Sequence, residues 1–149
     1  MKNILVIDNA IDKITQGVIK NDLLGNNFPW FFQEDITEGK KNKSQKRSGF
    51  SHYFVDENGV NSSYFENLSP IIVAGTKKAK LNPNVNVLLA RSFLQLPLSN
   101  KKLTLDTPHV DMKKNHIVFL YYVTDNDAET IIYKNTSISK KMTILKKVK

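Results

Sequence analysis

Residues 107–123 read Thr-Pro-His-Val-Asp-Met-Lys-Lys-Asn-His-Ile-Val-Phe-Leu-Tyr-Tyr-Val, and the reading of this stretch decides the fold. His109 and Asp111 stand two positions apart. In an extended chain such residues point to the same face, so an imidazole and a carboxylate converge on one point. Together they form two thirds of a 2-His-1-carboxylate triad, the arrangement that holds Fe(II) and leaves coordination positions open. Pro108 keeps Thr107 extended. The β-branched and aromatic run 117–123 predicts a strand, and 130–134 predicts a second. The acidic stretch 125–127 between them predicts the turn of a hairpin. A metal pair followed by such a hairpin suits the mouth of a small barrel or jelly roll.

Working back towards the N-terminus, residues 3–8 predict a short buried strand and 10–24 a helix. Asp8 or Asn9 is the expected cap of that helix, and its apolar positions are Ile11, Ile14, Val18 and Leu23 or Leu24. Gly25 is expected to end it. An aromatic strand at 29–33 leads into a polar, lysine-rich loop at 39–49. A further strand at 50–55 closes on the turn 56–59. Residues 63–78 predict a helix, but Pro70 inside it predicts a kink or two shorter pieces. A long strand is expected over 85–96, followed by a polar loop to Asp106, and a last strand begins at 142–145. Helices early and strands late give one α+β domain, mainly β, spanning residues 1–149.

Forty per cent apolar and 9% aromatic residues describe a chain that can build a core. With no cysteine, disulfides, zinc–thiolate sites, iron–sulfur clusters and thiol nucleophiles are excluded. No Walker loop, nucleophile triad or dinucleotide fingerprint occurs. The first apolar stretch is short and ends in Asp8, unlike a secretory leader. No run approaches the roughly 18 apolar residues of a membrane span. A soluble, cytoplasmic protein with no membrane partner is therefore expected. The net charge of +8 is concentrated in residues 40–47 and 140–149. Such clusters attract polyanions, but neither carries interleaved stacking aromatics, which favours a solvated loop and tail.

Residues 107–112 and 116–133 resemble the core of 2-oxoglutarate- and Fe(II)-dependent dioxygenases, in particular the prolyl-4-hydroxylase-like group and the versions that bacteriophages carry. Val6-Ile7-Asp8 before a helix and Asn27-Phe28-Pro29-Trp30-Phe31-Phe32-Gln33 resemble the opening of the same group. The resemblance implies a double-stranded β-helix, a jelly-roll or cupin-like barrel. It implies His109 and Asp111 as iron ligands and Tyr122 as a residue facing 2-oxoglutarate. Fe(II), 2-oxoglutarate and ascorbate are the implied cofactors. The implied reaction is hydroxylation of a C–H bond in a protein side chain, a small molecule or a nucleic acid. The family's second iron-binding histidine and its 2-oxoglutarate-binding arginine or lysine fall beyond Lys149, so the chain reads as lacking the last strands. A complementing chain or a homo-oligomer is expected to cover the open sheet edges.

Two other readings stand beside this one. One is an inactive truncated or split module that binds or supports another protein. The other is a basic nucleic-acid-binding protein. His116 and His52 are weighed as substitute ligands and read as a strand-end residue and a residue of an aromatic strand. Trp30, Phe31 and Phe32 read as core. Arg91, on a strand of apolar residues, needs a partner if buried.

Overall fold

In the computed structural model, the residues described are 4–36, 47–97, 108–134 and 142–148. Asp12 starts the first helix, α1 (Lys13–Leu24): its carboxylate Oδ1 accepts from the backbone N–H groups of Ile14 and Thr15, at 3.0 Å each. These are two of the donors that a helix start leaves without partners. Asn9 has φ 50°, a left-handed turn in which a helix cannot begin, so the cap falls later than the expected Asp8 or Asn9. Starting at Lys13 places Ile19 and Leu23 on the buried face with Ile11 just ahead, while Ile14 is left 81% exposed. Gly25 ends α1 with an extended backbone; a side chain there would meet the Asn21 carbonyl at 2.8 Å. Trp30 donates its indole N–H to the Leu23 carbonyl at 3.0 Å, satisfying one of the last acceptors of the helix.

The main sheet is built around β2 (Gly49–Asp56), whose two faces are both covered along much of its length. β1 (Phe31–Gln33) and β3 (Gly59–Val60) pair with one edge of β2 and β4 (Ala90–Gln95) with the other, all antiparallel. The β2–β3 turn closes as expected. Asn58 N–H bonds Asp56 Oδ1 at 2.8 Å, and Gly59 takes φ 108°, a value glycine tolerates and other residues resist. The β2–β4 ladder sets Tyr53 opposite Arg91 and Ser51 opposite Phe93, with a bulge between Tyr53 and Val55. That ladder ends at Val55–Ala90, so 85–89 does not join the expected long strand.

Pro70 divides residues 63–78 as anticipated. A 3-10 segment (Ser63–Leu68) gives way to α2 (Ser69–Lys78), with the proline in the first turn where its missing N–H costs nothing. The core gathers Ile11, Ile19, Leu23, Phe28, Phe54 and Val55, with Trp30, Tyr64, Phe65, Leu68, Ile71 and Ala74 packed against it. The Phe28 ring lies 5.0 Å from Trp30 and Tyr64 and 4.6 Å from His52.

A second, two-stranded sheet pairs β5 (Thr130–Tyr133) with β6 (Ile144–Val148), antiparallel. This corrects the expected hairpin: 117–123 is not a strand, and β5 takes β6 as partner. Extended, β-branched sequence becomes a strand only where a ladder partner is offered, and none pairs with 117–123 among the described residues. Only its last residues alternate, and 117–120 are exposed in a row. Tyr121 and Val123 pack on the core, while Ile117, Val118, Leu120 and Tyr122 are exposed. Residues 4–8 are likewise not a strand. The lysine-rich loop and basic cluster over 37–46, the polar loop and Thr107 over 98–107, and residues 135–141 and 149 lie outside the described residues.

The architecture is mixed α and β, with antiparallel sheets and two α-helices among the described residues; the sheets do not close into a barrel there. No helix among them is long and apolar enough to cross a membrane.

Candidate functional site

The His109–Asp111 pair does converge. His109 Nε2 lies 3.5 Å from Asp111 Oδ1, with the histidine half exposed and the aspartate about a third exposed. Their i, i+2 spacing in non-helical chain accounts for the approach. A charge-assisted hydrogen bond settles at about 2.8 Å, so 3.5 Å is a loose contact. It is also a span that one metal ion can bridge, because two bonds of about 2.1 Å reach a little over 4 Å. Imidazole nitrogen with carboxylate oxygen is a donor set suited to a divalent first-row metal. The two residues therefore fit a metal as two of the three protein ligands of such a triad. Among the described residues no group of three or more histidine, aspartate or glutamate side chains is placed to complete it.

A third residue reaches the pair from the sheet. Arg91 sits on β4 opposite Tyr53, and its NH2 lies 3.6 Å from Asp111 Oδ1, the oxygen that also faces His109. NH1 donates to the Tyr53 hydroxyl at 3.2 Å, and the guanidinium carbon stands 4.4 Å from the centre of the Phe93 ring. The arginine is 13% exposed and has the partner that a buried cation requires. Sequence alone gives this need but not the partner's identity, since Arg91 and Asp111 meet only through the β2–β4 register and the return of residues 108–111.

The surroundings keep Asp111 ionised. The His109 side-chain hydrogen bond draws its carboxyl below the ordinary value, burial opposes this, and the charges of His109, Arg91 and His116 add to the lowering. A carboxylate that stays charged is the form a metal needs.

The other residues singled out by sequence are engaged elsewhere. Tyr122 places its hydroxyl 2.5 Å from Thr130 Oγ1 and is 41% exposed. His52 is buried, and the Pro29 carbonyl can only accept, so Nδ1 carries the proton given to it at 2.8 Å. Its Nε2 meets Ser62 Oγ at 2.8 Å, which leaves neither ring nitrogen open to a metal. His116 bonds the Lys114 carbonyl through Nδ1 at 2.6 Å. Phe31 and Phe32, read as core, are 58% and 60% exposed, whereas Trp30 does pack on the core.

An open cleft of about 600 Å³ adjoins this region, with Phe31, Ser51, Tyr53 and Tyr64 among its lining. His109 and Asp111 do not line it; Tyr53, whose hydroxyl accepts from Arg91, is among its lining residues. The Ser51 hydroxyl is buried with no hydrogen-bond partner among the described residues.

Comparison with protein-family models, curated proteins and solved structures returns no match. The chemistry of the site therefore rests on its residues and their geometry.

Proposed function

We propose that the chain carries the proximal His-x-Asp part of the iron site of a 2-oxoglutarate- and Fe(II)-dependent dioxygenase of the prolyl-4-hydroxylase-like kind, its antiparallel sheets belonging to a double-stranded β-helix. The observation that carries this reading is the 3.5 Å approach of His109 Nε2 to Asp111 Oδ1, an imidazole and an ionised carboxylate sharing one bridgeable gap. In this reading His109 and Asp111 hold the iron, and a third ligand comes from outside the described residues or from a complementing chain. If bound, iron and 2-oxoglutarate would let O2 act as the oxidant for a C–H hydroxylation, with 2-oxoglutarate giving up two electrons as it loses CO2 to become succinate and ascorbate serving as an accessory reductant.

The chain's own part is to bind and orient. Asp111 stays deprotonated at neutral pH and offers a fixed negative charge. His109 offers a neutral nitrogen once its proton is gone. Tyr122 is the residue assigned to the co-substrate side, and taking that role requires its hydroxyl to exchange Thr130 for a new partner.

Co(II), a spectroscopic substitute for Fe(II), tests the assignment. Wild-type protein is expected to bind one equivalent saturably, and His109→Ala and Asp111→Ala are each expected to weaken binding by about tenfold or more. Equal Co(II) affinity in all three proteins would remove the iron assignment. A non-catalytic binding module is the second reading, and the observation favouring it is Arg91, which already neutralises Asp111 from within the chain. That module would bind no metal at this pair.

A further inference from the structure

The cleft holds a second constellation, separate from the metal pair. His52 and Ser62 both line it, and His52 Nε2 stands 2.8 Å from Ser62 Oγ. Because Nδ1 gives its proton to the Pro29 carbonyl at 2.8 Å, Nε2 is the ring's acceptor and the Ser62 hydroxyl donates to it. A hydroxyl bonded to a basic nitrogen, with that base oriented by a third group, is the geometry of an activated nucleophile. Here the backbone carbonyl of Pro29 takes the orienting place that a carboxylate holds in the Ser-His-Asp arrangement.

The fold fixes both partners. β2 carries His52, and the imidazole is packed among the rings of Phe28 at 4.6 Å, Phe54 at 4.8 Å, Phe31 at 6.0 Å and Tyr64 at 6.2 Å. The β2–β3 turn returns the chain, and Asn61 N–H bonds the Phe54 carbonyl at 3.0 Å, which brings Ser62 back beside β2. Ser62 is the cap residue of the 3-10 segment, where a serine oxygen ordinarily accepts from the backbone. Its side chain makes no such bond and is committed to the imidazole instead.

We infer that Ser62 and His52 form a nucleophile–base pair for acyl transfer from an uncharged aryl ester. Phe31, Tyr53 and Tyr64 give the cleft aromatic walls, and its volume of about 600 Å³ lies in the range of small-molecule sites. Asp56 is the one charged residue among the described residues that line it, which disfavours an anionic substrate. Ser62 Oγ bonds to the ester carbonyl carbon as its proton passes to Nε2. Collapse breaks the bond to the leaving phenol, which takes that proton from the imidazolium. Water then attacks the acyl-serine by the same route, releasing the acid and restoring the serine.

A fluorophosphonate probe, which forms a P–O bond to an activated serine and expels fluoride, tests the pair at neutral pH. Wild type is expected to be labelled at Ser62, as mapped by peptide mass spectrometry, and to cleave 4-nitrophenyl acetate. Ser62→Ala is expected to lose both reactions, and His52→Gln to slow them by about a hundredfold. His52 is packed among rings, and its replacement can unfold the chain, so a second comparison leaves it in place. Ser62→Cys and Ser63→Cys each give the chain its sole thiol. Iodoacetamide is expected to alkylate the thiol at position 62, beside the imidazole, about tenfold faster than the one at exposed position 63.

Folded wild-type protein that takes up no phosphonate at Ser62 overturns the proposal. Alkylation no faster at position 62 than at 63 does the same. Either result leaves the Ser62–His52 bond as a tie between the 3-10 segment and β2, and neither bears on the metal pair.

Discussion

Asp111 is held between His109 and Arg91, and its carboxyl titrates below the ordinary 3.8 chiefly because His109 hydrogen-bonds its charged form. The folded value lies under the unfolded one, so ionised Asp111 stabilises the fold fully above the unfolded value. That contribution fades as the pH falls through the lowered folded value. The side chain is about a third exposed, so solvent screens the effect and the change in melting temperature is small. The sharper reading is the carboxyl carbon resonance of Asp111. Its midpoint is expected below 3.8 in wild type and closer to 3.8 in His109→Ala. A midpoint unmoved by losing His109 would show that the loose 3.5 Å contact does not govern the charge. The convergence of His109 and Asp111 was legible in the sequence because it depends on two positions only two apart. Arg91's role was legible only as a need for a partner, because its partner lies 20 residues on and is delivered by strand register.

At the scale of elements, Gly75 of α2 lies under the Phe119 ring, and a β-carbon there would meet three ring atoms at 2.8, 3.0 and 3.1 Å. Alanine in a helix interior is favoured over glycine by about 1 kcal/mol, but here the new methyl collides with a ring that is only partly exposed. Gly75→Ala alone is expected to give no gain, or a loss as Phe119 is pushed out. In a Phe119→Ala background the same change is expected to stabilise by about 1 kcal/mol. Urea melts of the four proteins give the coupling, and identical increments in both backgrounds would mean the contact is absent in solution. This contact also explains a misreading. Residues 117–123 have the composition of a strand, but alternation holds only over 120–123, with Tyr121 and Val123 inward and Leu120 and Tyr122 outward, while 117–119 are all exposed. Composition announces the extended backbone but not which ladder will take it, and β5 finds β6 instead. The Pro70 break and the β2–β3 turn were legible because they follow from single residues with restricted backbones. The start of α1 was not, because Asp8, Asn9 and Asp12 can all cap, and the choice falls to whichever start buries Ile19 and Leu23.

Across the whole molecule the packing is uneven. The buried apolar core is centred on α1, Phe28 and β2, and Phe54, 1% exposed, stands within ring contact of Phe28 and His52. Truncating a buried phenylalanine costs about 3–5 kcal/mol, a large share of a total stability of about 5–15 kcal/mol. Phe54→Ala is therefore expected to lower the stability by about 3–5 kcal/mol, read as a drop in the urea midpoint. The β5–β6 ribbon is supported differently. It is two-stranded, most of β6 is exposed, and one of its cross-strand ties is the exposed Lys147–Glu129 pair at 2.9 Å. Two strands alone are marginal in water, and an exposed ion pair adds little. Backbone amides should report the difference directly. Hydrogen exchange is expected to be slowest in β2 and α1, where opening requires breaking the core. It is expected to be faster by orders of magnitude in β5 and β6, and fastest along 117–123, which has no strand ladder among the described residues. A tightly folded second sheet would reverse this, with Ile131 and Ile132 exchanging as slowly as Phe54. In that case something outside the described residues must cover the ribbon, and a complementing strand would be the first place to look.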